Sequence, residues 1–303
     1  MIIMTQTYQL ATPTTSNLAL TKSAPDTPAR QALRRFRRHR LAMAGVVIIG
    51  LLVVASLLGS TEAALTQNLQ AMNQPPSADH LLGTDRIGRD ILARTLVGGR
   101  ISLSVGLVAV SFSTTIGIVL GALAGYQRGW LDHLIMRIVD VVLSFPVIVL
   151  LLCVASLVGP SIFNVMVMIG LLTWPVPCRI MRGQFLSIRE RAYVEAARCL
   201  GIGDLTIARR HILPNAIAPV LVYASFAVAT AVLLEAGLSY LGLGVQPPTP
   251  SWGNMLNTAR NITVLERAAW QWAPPAVATV LFVLAVNFVG DGIRDALDPQ
   301  ASR

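Results

Sequence analysis

Residues 41–59 read LAMAGVVIIGLLVVASLLG, without a single charge. At about 1.5 Å per helical residue, such a run is just long enough to cross a hydrocarbon core of about 30 Å. The basic run Arg34-Arg35-Phe36-Arg37-Arg38-His39-Arg40 stands directly before it. The polar leader at 1–40 is too long, and the apolar run too extended, for a cleaved signal peptide. The stretch therefore reads as an uncleaved first transmembrane helix.

Similar blocks follow down the chain. One uncharged block covers 101–126, and another covers 141–178, which is too long for a single crossing. Gly159-Pro160 offers a turn near its middle and divides it into two helices. Further blocks lie at about 212–234 and 273–290, which makes six spans. The expected organisation is a leader at 1–40, a first helix at 41–59, an external loop at 60–100, a core of five helices at 101–292 and a tail at 293–303. Prolines 146, 175, 177 and 219 fall inside the blocks, where neighbouring groups in a membrane bundle can re-satisfy the freed carbonyls.

The bulk composition agrees. Of 303 residues, 54% are hydrophobic and 13% charged, with mean hydropathy +0.62. A soluble domain carries about 25% charged residues, so much of this chain has no watery surface to cover. The net charge of +9 does not indicate nucleic-acid binding. The basic residues cluster at the ends of apolar blocks, and no solvated basic face is available. Their placement orients the chain instead. With the N-terminus inside, 18 of the 24 Lys and Arg residues fall on cytoplasmic segments and 6 outside. The positive-inside tendency then puts both termini in the cytoplasm. Asp79, Asp85, Asp90 and Glu266 partly match the external basic residues. In this orientation Ser251 lies outside and Asp204 inside.

Catalytic and metal chemistry find little support. Cys153, Cys178 and Cys199 are dispersed, without CxxC or Cys/His spacing. His39, His80, His133 and His211 show no H-E-x-x-H pattern, so neither catalytic nor metal-ligating residues are assigned. A phosphate-binding loop requires a lysine in a glycine-rich setting. The only lysine is Lys22, flanked by Thr21 and Ser23 with no upstream glycines.

The cytoplasmic stretch between the fourth and fifth spans is the most informative. Ser187-Ile188-Arg189-Glu190 has capping-box spacing. Ile188, Ala192, Tyr193, Ala196, Ala197 and Leu200 then form one apolar stripe. Gly201 stands where a left-handed helix stop is expected, and Asp204 can cap a second helix through Leu213 towards Pro214. The result is a helix, a glycine turn and a helix, tied at both ends to membrane spans.

Glu195-Ala196-Ala197, then Gly201, then Ile212-Leu213-Pro214 resemble the EAA loop, here 182–214, of bacterial ABC importer permeases. The resemblance implies that Glu195, Ala196, Ala197, Gly201, Asp204, Leu213 and Pro214 form a coupling helix docked on an ATPase subunit. HLLGTDRIGRD at 80–90, SYLGLGVQPPTPSWG at 239–253 and GDGIRDALDP at 290–299 resemble the dipeptide/oligopeptide/nickel group, specifically its C-type subunit. Asp85, Arg89, Asp90, Gln246, Pro247 and Trp252 are then expected to face an extracytoplasmic solute-binding protein. A Pro-Tyr/His-Asp-Pro element that often follows the first span in this group is missing around 60–68.

The reading is thus an all-α integral membrane protein of six transmembrane helices, with a cytoplasmic coupling loop between the fourth and fifth. The resemblance implies a multi-pass protein of the bacterial inner membrane that pairs with a B-type permease to import di- or oligopeptides. Two separate cytoplasmic ABC ATPases would hold the ATP and Mg, and this chain would bind no cofactor. Nickel and glutathione importers share these motifs. An ion-driven transporter would instead need coupling carboxylates and interrupted half-helices. Asp140, Glu235 and Asp291 lie close enough to span ends to be expected at water or headgroups. Asn164 and Asn287 suit contacts between helices.

Overall fold

The computed structural model describes residues 28–297. The first 27 residues of the leader and the 298–303 end of the tail, including the last residues of the 290–299 motif, lie outside them. Among the described residues the chain is helical, with no β-strand beyond one isolated bridge between Thr84 and Asp90. Among the described residues five helices are long and apolar enough to cross a membrane, or six if one bent pair counts as a single span.

Helix α1 (Pro28–Arg38) precedes α2 (Arg40–Leu58). The His39 ring caps α2 by accepting from the Ala42 amide at 3.1 Å. Only 17% of the apolar window of α2 is buried within the bundle. Its small residues do meet protein, and Gly45 sits against the Ala285 carbonyl.

Helix α3 (Ile91–Gln127) begins ten residues before the expected second span. Asp90 accepts from the Ala93 amide at 2.8 Å and fixes that start, so the stretch 91–100, which carries Arg94 and Arg100, is helix rather than loop. The helix ends where Arg128 (φ +55°) and Gly129 (φ +71°) turn left-handed. Helix α3 packs along most of its neighbours and forms the axis of the bundle. Gly117, Gly121 and Gly125 line its face against the following long helix. A Cβ at Gly117 would lie 2.7 Å from Pro177 Cγ, and one at Gly125 would lie 2.6 Å from Phe185 Cβ. Glycines spaced by four let two backbones approach, which is how membrane helices gain dispersion contact without a hydrophobic driving force.

The expected third span is broken. Helices α4 (Gly129–Leu143) and α5 (Val147–Val158) meet at 88°. Pro146 supplies no amide and pushes Phe145 away from helical geometry. The Ser144 hydroxyl folds back onto the Asp140 and Val141 carbonyls at 2.8 and 2.9 Å. Each arm alone is shorter than the about 20 residues a crossing needs.

Helix α6 (Ile162–Arg189) continues well past residue 178 into the predicted cytoplasmic loop. Pro175 and Pro177 sit at the start of its second half, where a missing amide is tolerated. After the short helix α7 (Ala192–Cys199) comes α8 (Asp204–Tyr240), then α9 (Trp252–Leu256) and α10 (Ala273–Leu297). The last helix extends past residue 290 into the predicted tail.

Candidate functional site

The element predicted to be cytoplasmic forms as a single short helix between two long ones. Ser187 does not open it, because Ser187 lies inside α6, whose apolar face is still buried at Phe185 and Ile188. The start of α7 is set by Arg191, whose backbone is extended (ψ 143°) and whose side chain caps nothing. Gly201 does stop the helix. Its φ of +74° is left-handed, and the Ile202 amide reaches back to the Ala197 carbonyl at 3.2 Å. Asp204 is not the cap of the next helix. Gly203 occupies that position, and the Asp204 carboxylate accepts from the Tyr126 hydroxyl at the end of α3.

The second helix of the expected pair is the first part of α8 itself. Residues Ile207–Ile212 wind as a π-helix immediately before Leu213 and Pro214. A proline ring crowds the carbonyl four residues earlier, and a wider turn there gives it room. This second helix therefore runs on into the rest of α8 without a joint. Of the expected loop 182–214, only residues 190–191 and 200–203 are outside helices.

The apolar stripe is shared between two faces. Val194 and Ala197 point inwards, onto a cluster of Met181, Phe185, Ile188, Ile207 and Ile212 from α6 and α8. Tyr193 (41% exposed), Leu200 (80%) and Leu205 (71%) point outwards, and Glu195 and Ala196 are exposed beside them. Glu195 makes no ion pair among the described residues, so neither Arg191 nor Arg198 engages it. The element is thus clamped by its inner face and presents apolar side chains and a free carboxylate on the other. Leu213 is half-buried and Pro214 exposed on the adjoining turn.

Ion pairs tie the same end of the bundle together. Arg182 on α6 holds Asp132 on α4 through two hydrogen bonds of 2.5 and 2.7 Å, and Arg179 pairs with the exposed Asp140. Arg189 donates to the Tyr126 carbonyl and lies over its ring.

On the opposite face, the expected residues separate. Gln246 and Pro247 are exposed, whereas Asp85 and Trp252 are buried. Asp85 accepts from the Ile87 and Arg89 amides and from Arg89 Nε at 2.7 Å. Asp90 caps α3 and meets the His80 ring at 2.9 Å. Trp252 packs edge-on to Phe282, and its indole donates to the Thr95 carbonyl at 2.9 Å. The 245–256 segment therefore folds back into the bundle instead of forming a surface loop.

Glu235 explains why. It was expected near water or headgroups, but it is fully buried. The hydroxyls of Ser239 and Ser251 donate to Oε1 at 2.7 and 2.8 Å, and that of Ser102 donates to Oε2 at 3.0 Å. One carboxyl group thus joins α3, α8 and the entry to α9. Asn164, expected to bond between helices, donates instead to the Gly159 carbonyl in the preceding turn at 3.0 Å.

Sequence reasoning missed this network, the glycine face of α3 and helix α1. Glycines at 117, 121 and 125 in an apolar run are a readable signal. The serines around Glu235 are not, since they lie up to 133 residues away in the chain.

The described geometry can be set beside known proteins. The family described as the binding-protein-dependent transport system inner membrane component matches residues 117–303, and the N-terminal TM domain of oligopeptide transport permease C matches 27–76. A protein of Brucella suis biovar 1 named as a peptide permease is 47% identical over 277 residues, covering 90% of this chain and 92% of the relative. The glutathione transport system permease protein GsiD of Pectobacterium atrosepticum is 42% identical over 278 residues, covering 90% and 92%. Among solved structures, the MetNI methionine ABC transporter in an inward-facing conformation superposes with a TM-score of 0.55 at 22% identity. That match covers 67% of this chain and 96% of the other, a likeness of fold. With its N-terminal domain and its long helical core both matched, the chain belongs to the family of binding-protein-dependent transport system inner membrane components, the permeases of ABC importers.

Proposed function

We propose that this permease lines a path for di- or oligopeptides together with a paired B-type permease. Transport is powered by two cytoplasmic ABC ATPases and fed by an extracytoplasmic solute-binding protein. The observation that carries the reading is the cytoplasmic element: Val194 and Ala197 lock it to α6 and α8, while Tyr193, Glu195, Ala196, Leu200 and Leu205 remain outside. A rigid element with an unpartnered apolar face, continuous with a long helix, can receive a push from a soluble partner and pass it to the bundle. The two relatives described above support a peptide substrate, since one is named for peptides and the other for glutathione, itself a tripeptide. Glutathione is therefore the second reading. Glu235 gives no support to an ion-driven mechanism, because serine hydroxyls hold it and no second carboxylate joins it.

Two expected results test the assignment. Purified alone, the chain hydrolyses no ATP, because it lacks a lysine-bearing phosphate loop. Uptake in vesicles appears only with ATPase subunits present and stops with vanadate. Sustained ATP hydrolysis by the single chain would refute the role.

The second concerns orientation, with both termini in the cytoplasm of a bacterial inner membrane. Ser251 is fully buried and unsuitable as an outside probe, so Gln246→Cys replaces it. The native Cys199 is exposed and serves inside, with Cys153 changed to Ser. A membrane-impermeant maleimide should label Gln246→Cys in intact cells and Cys199 only after permeabilisation. Labelling of Cys199 in intact cells would reverse the topology.

A further inference from the structure

Between the start of α3 and the end of α9 lies a small external recess of about 110 Å³, lined by Asp85, Arg86, Arg89, Arg94 and Thr258, with Pro247 at its edge. Arg94 is 5% exposed, and its Nη1 has no hydrogen-bond partner among the described residues. The nearest anion does not supply one. Asp85 is occupied by two amides and by Arg89 Nε, and approaches only Arg94 Nε, at 3.9 Å. Three guanidinium groups thus converge on a recess containing one carboxylate that is already engaged. A buried charged donor without a partner is unfavourable, and guanidinium matches a carboxylate through paired, charge-assisted hydrogen bonds.

We propose that this recess is a carboxylate-binding pocket that receives an acidic side chain of the extracytoplasmic solute-binding protein; the inference rests on the binding-protein-dependent reading above. The recess, about 110 Å³, admits a carboxylate head and its methylene while the rest of the molecule that carries them stays outside, and its position favours a docked protein as the source. It opens on the face where Gln246 and Pro247 are exposed. An anionic side chain entering it completes Arg94 and balances the local positive charge, which is how charge complementarity fixes a docking register.

The experiment uses the assembled transporter in proteoliposomes. Uptake of a radiolabelled tripeptide is measured against the concentration of its binding protein. Arg94→Gln should raise the half-saturating concentration about tenfold or more, the scale of one lost charge-assisted contact, and leave the maximal rate unchanged. Thr258→Phe, which fills the recess from its rim and spares the arginines, should do the same. A scan of Asp→Asn and Glu→Gln on the binding protein should then find one position whose effect disappears in the Arg94→Gln background.

An unchanged half-saturation in both variants overturns the pocket, as does a lower maximal rate with unchanged half-saturation. If Arg94→Gln fails to assemble, Thr258→Phe decides alone. If the effect of Arg94→Gln vanishes with a C-terminally amidated tripeptide and no binding-protein acid couples to it, the carboxylate belongs to the substrate and the proposal fails. Uptake that needs no binding protein would overturn the importer reading as well, which separates the two failures.

Discussion

Gly201→Val and Glu195→Arg are each expected to abolish uptake in a chain that still inserts in the membrane. At Gly201 the cause is backbone conformation alone. A Cβ there would meet nothing within 4 Å, but φ is +74°. Left-handed geometry costs an L-residue about 1–2 kcal/mol, and a β-branched side chain suffers most. The turn between α7 and α8 would shift to relieve it, re-aiming the element proposed to dock on the ATPase subunit. Gly201→Asn should retain much of the transport, because Asn tolerates that conformation. This graded pattern would distinguish strain from a contact made by the glycine.

At Glu195 the effect is electrostatic and lies outside the chain. The carboxylate is exposed and pairs with neither Arg191 nor Arg198, so replacing it with Arg costs the helix only about 0.2–0.5 kcal/mol through like-charge neighbours. A large loss of uptake must therefore come from a partner surface. Arg189, bonded to the Tyr126 carbonyl, is unsuited as a neutral control, whereas Arg210 is exposed. Arg210→Gln should transport normally. The measurement is uptake together with co-purification of the ATPase subunits. Wild-type transport by both Gly201→Val and Glu195→Arg, with the ATPases still bound, would remove these residues from the coupling site.

Replacing the buried carboxyl is expected to unfold the external half of the bundle. Each serine that donates to Glu235 also receives a backbone amide: Ser239 from Val245 at 3.0 Å, Ser251 from Asn254 at 3.1 Å and Ser102 from Trp252 at 3.2 Å. A hydroxyl has one hydrogen to give, and in this arrangement all three are directed at Glu235. Glu235→Leu leaves three buried donors without an acceptor, at about 1–3 kcal/mol each. The sum is comparable to the about 5–15 kcal/mol that separates folded from unfolded domains. The 245–256 segment should then detach from α3 and α8, and Trp252 with it. Glu235→Gln preserves shape and one acceptor, and should lose much less. Thermal stability of the detergent-solubilised transporter, followed by size-exclusion chromatography, reads both variants. A Glu235→Leu protein that melts with the wild type would show that the network contributes nothing to holding the segment.

By itself the sequence determined what is local or additive. Uncharged runs such as 41–59 revealed their spans because the transfer free energy of a helix is a sum over its residues. Gly201 revealed a helix stop because left-handed φ depends on one residue's own sterics. The grouping of Glu195, Ala197, Gly201 and Pro214 was readable for the same reason, since it lies within one continuous stretch. Helix lengths were not readable. Hydropathy marks where the chain leaves lipid, whereas backbone hydrogen bonding continues until geometry interrupts it. Helix α3 therefore begins at Ile91, α6 reaches Arg189 and α8 begins at Asp204, each beyond the uncharged block and into sequence that carries charges. The tertiary structure alone decided which side chains are hidden. Trp252 and Asp85 lie in two separate stretches that read as external loop, and both are buried: Ser251 beside Trp252 is tied to Glu235 on α8, while Asp85 is wrapped by the Ile87 and Arg89 amides and Arg89 Nε of its own loop. The pairings of Glu235 join helices that are distant in sequence, and their stability comes from excluding water once the helices have packed, a condition no stretch of residues carries on its own.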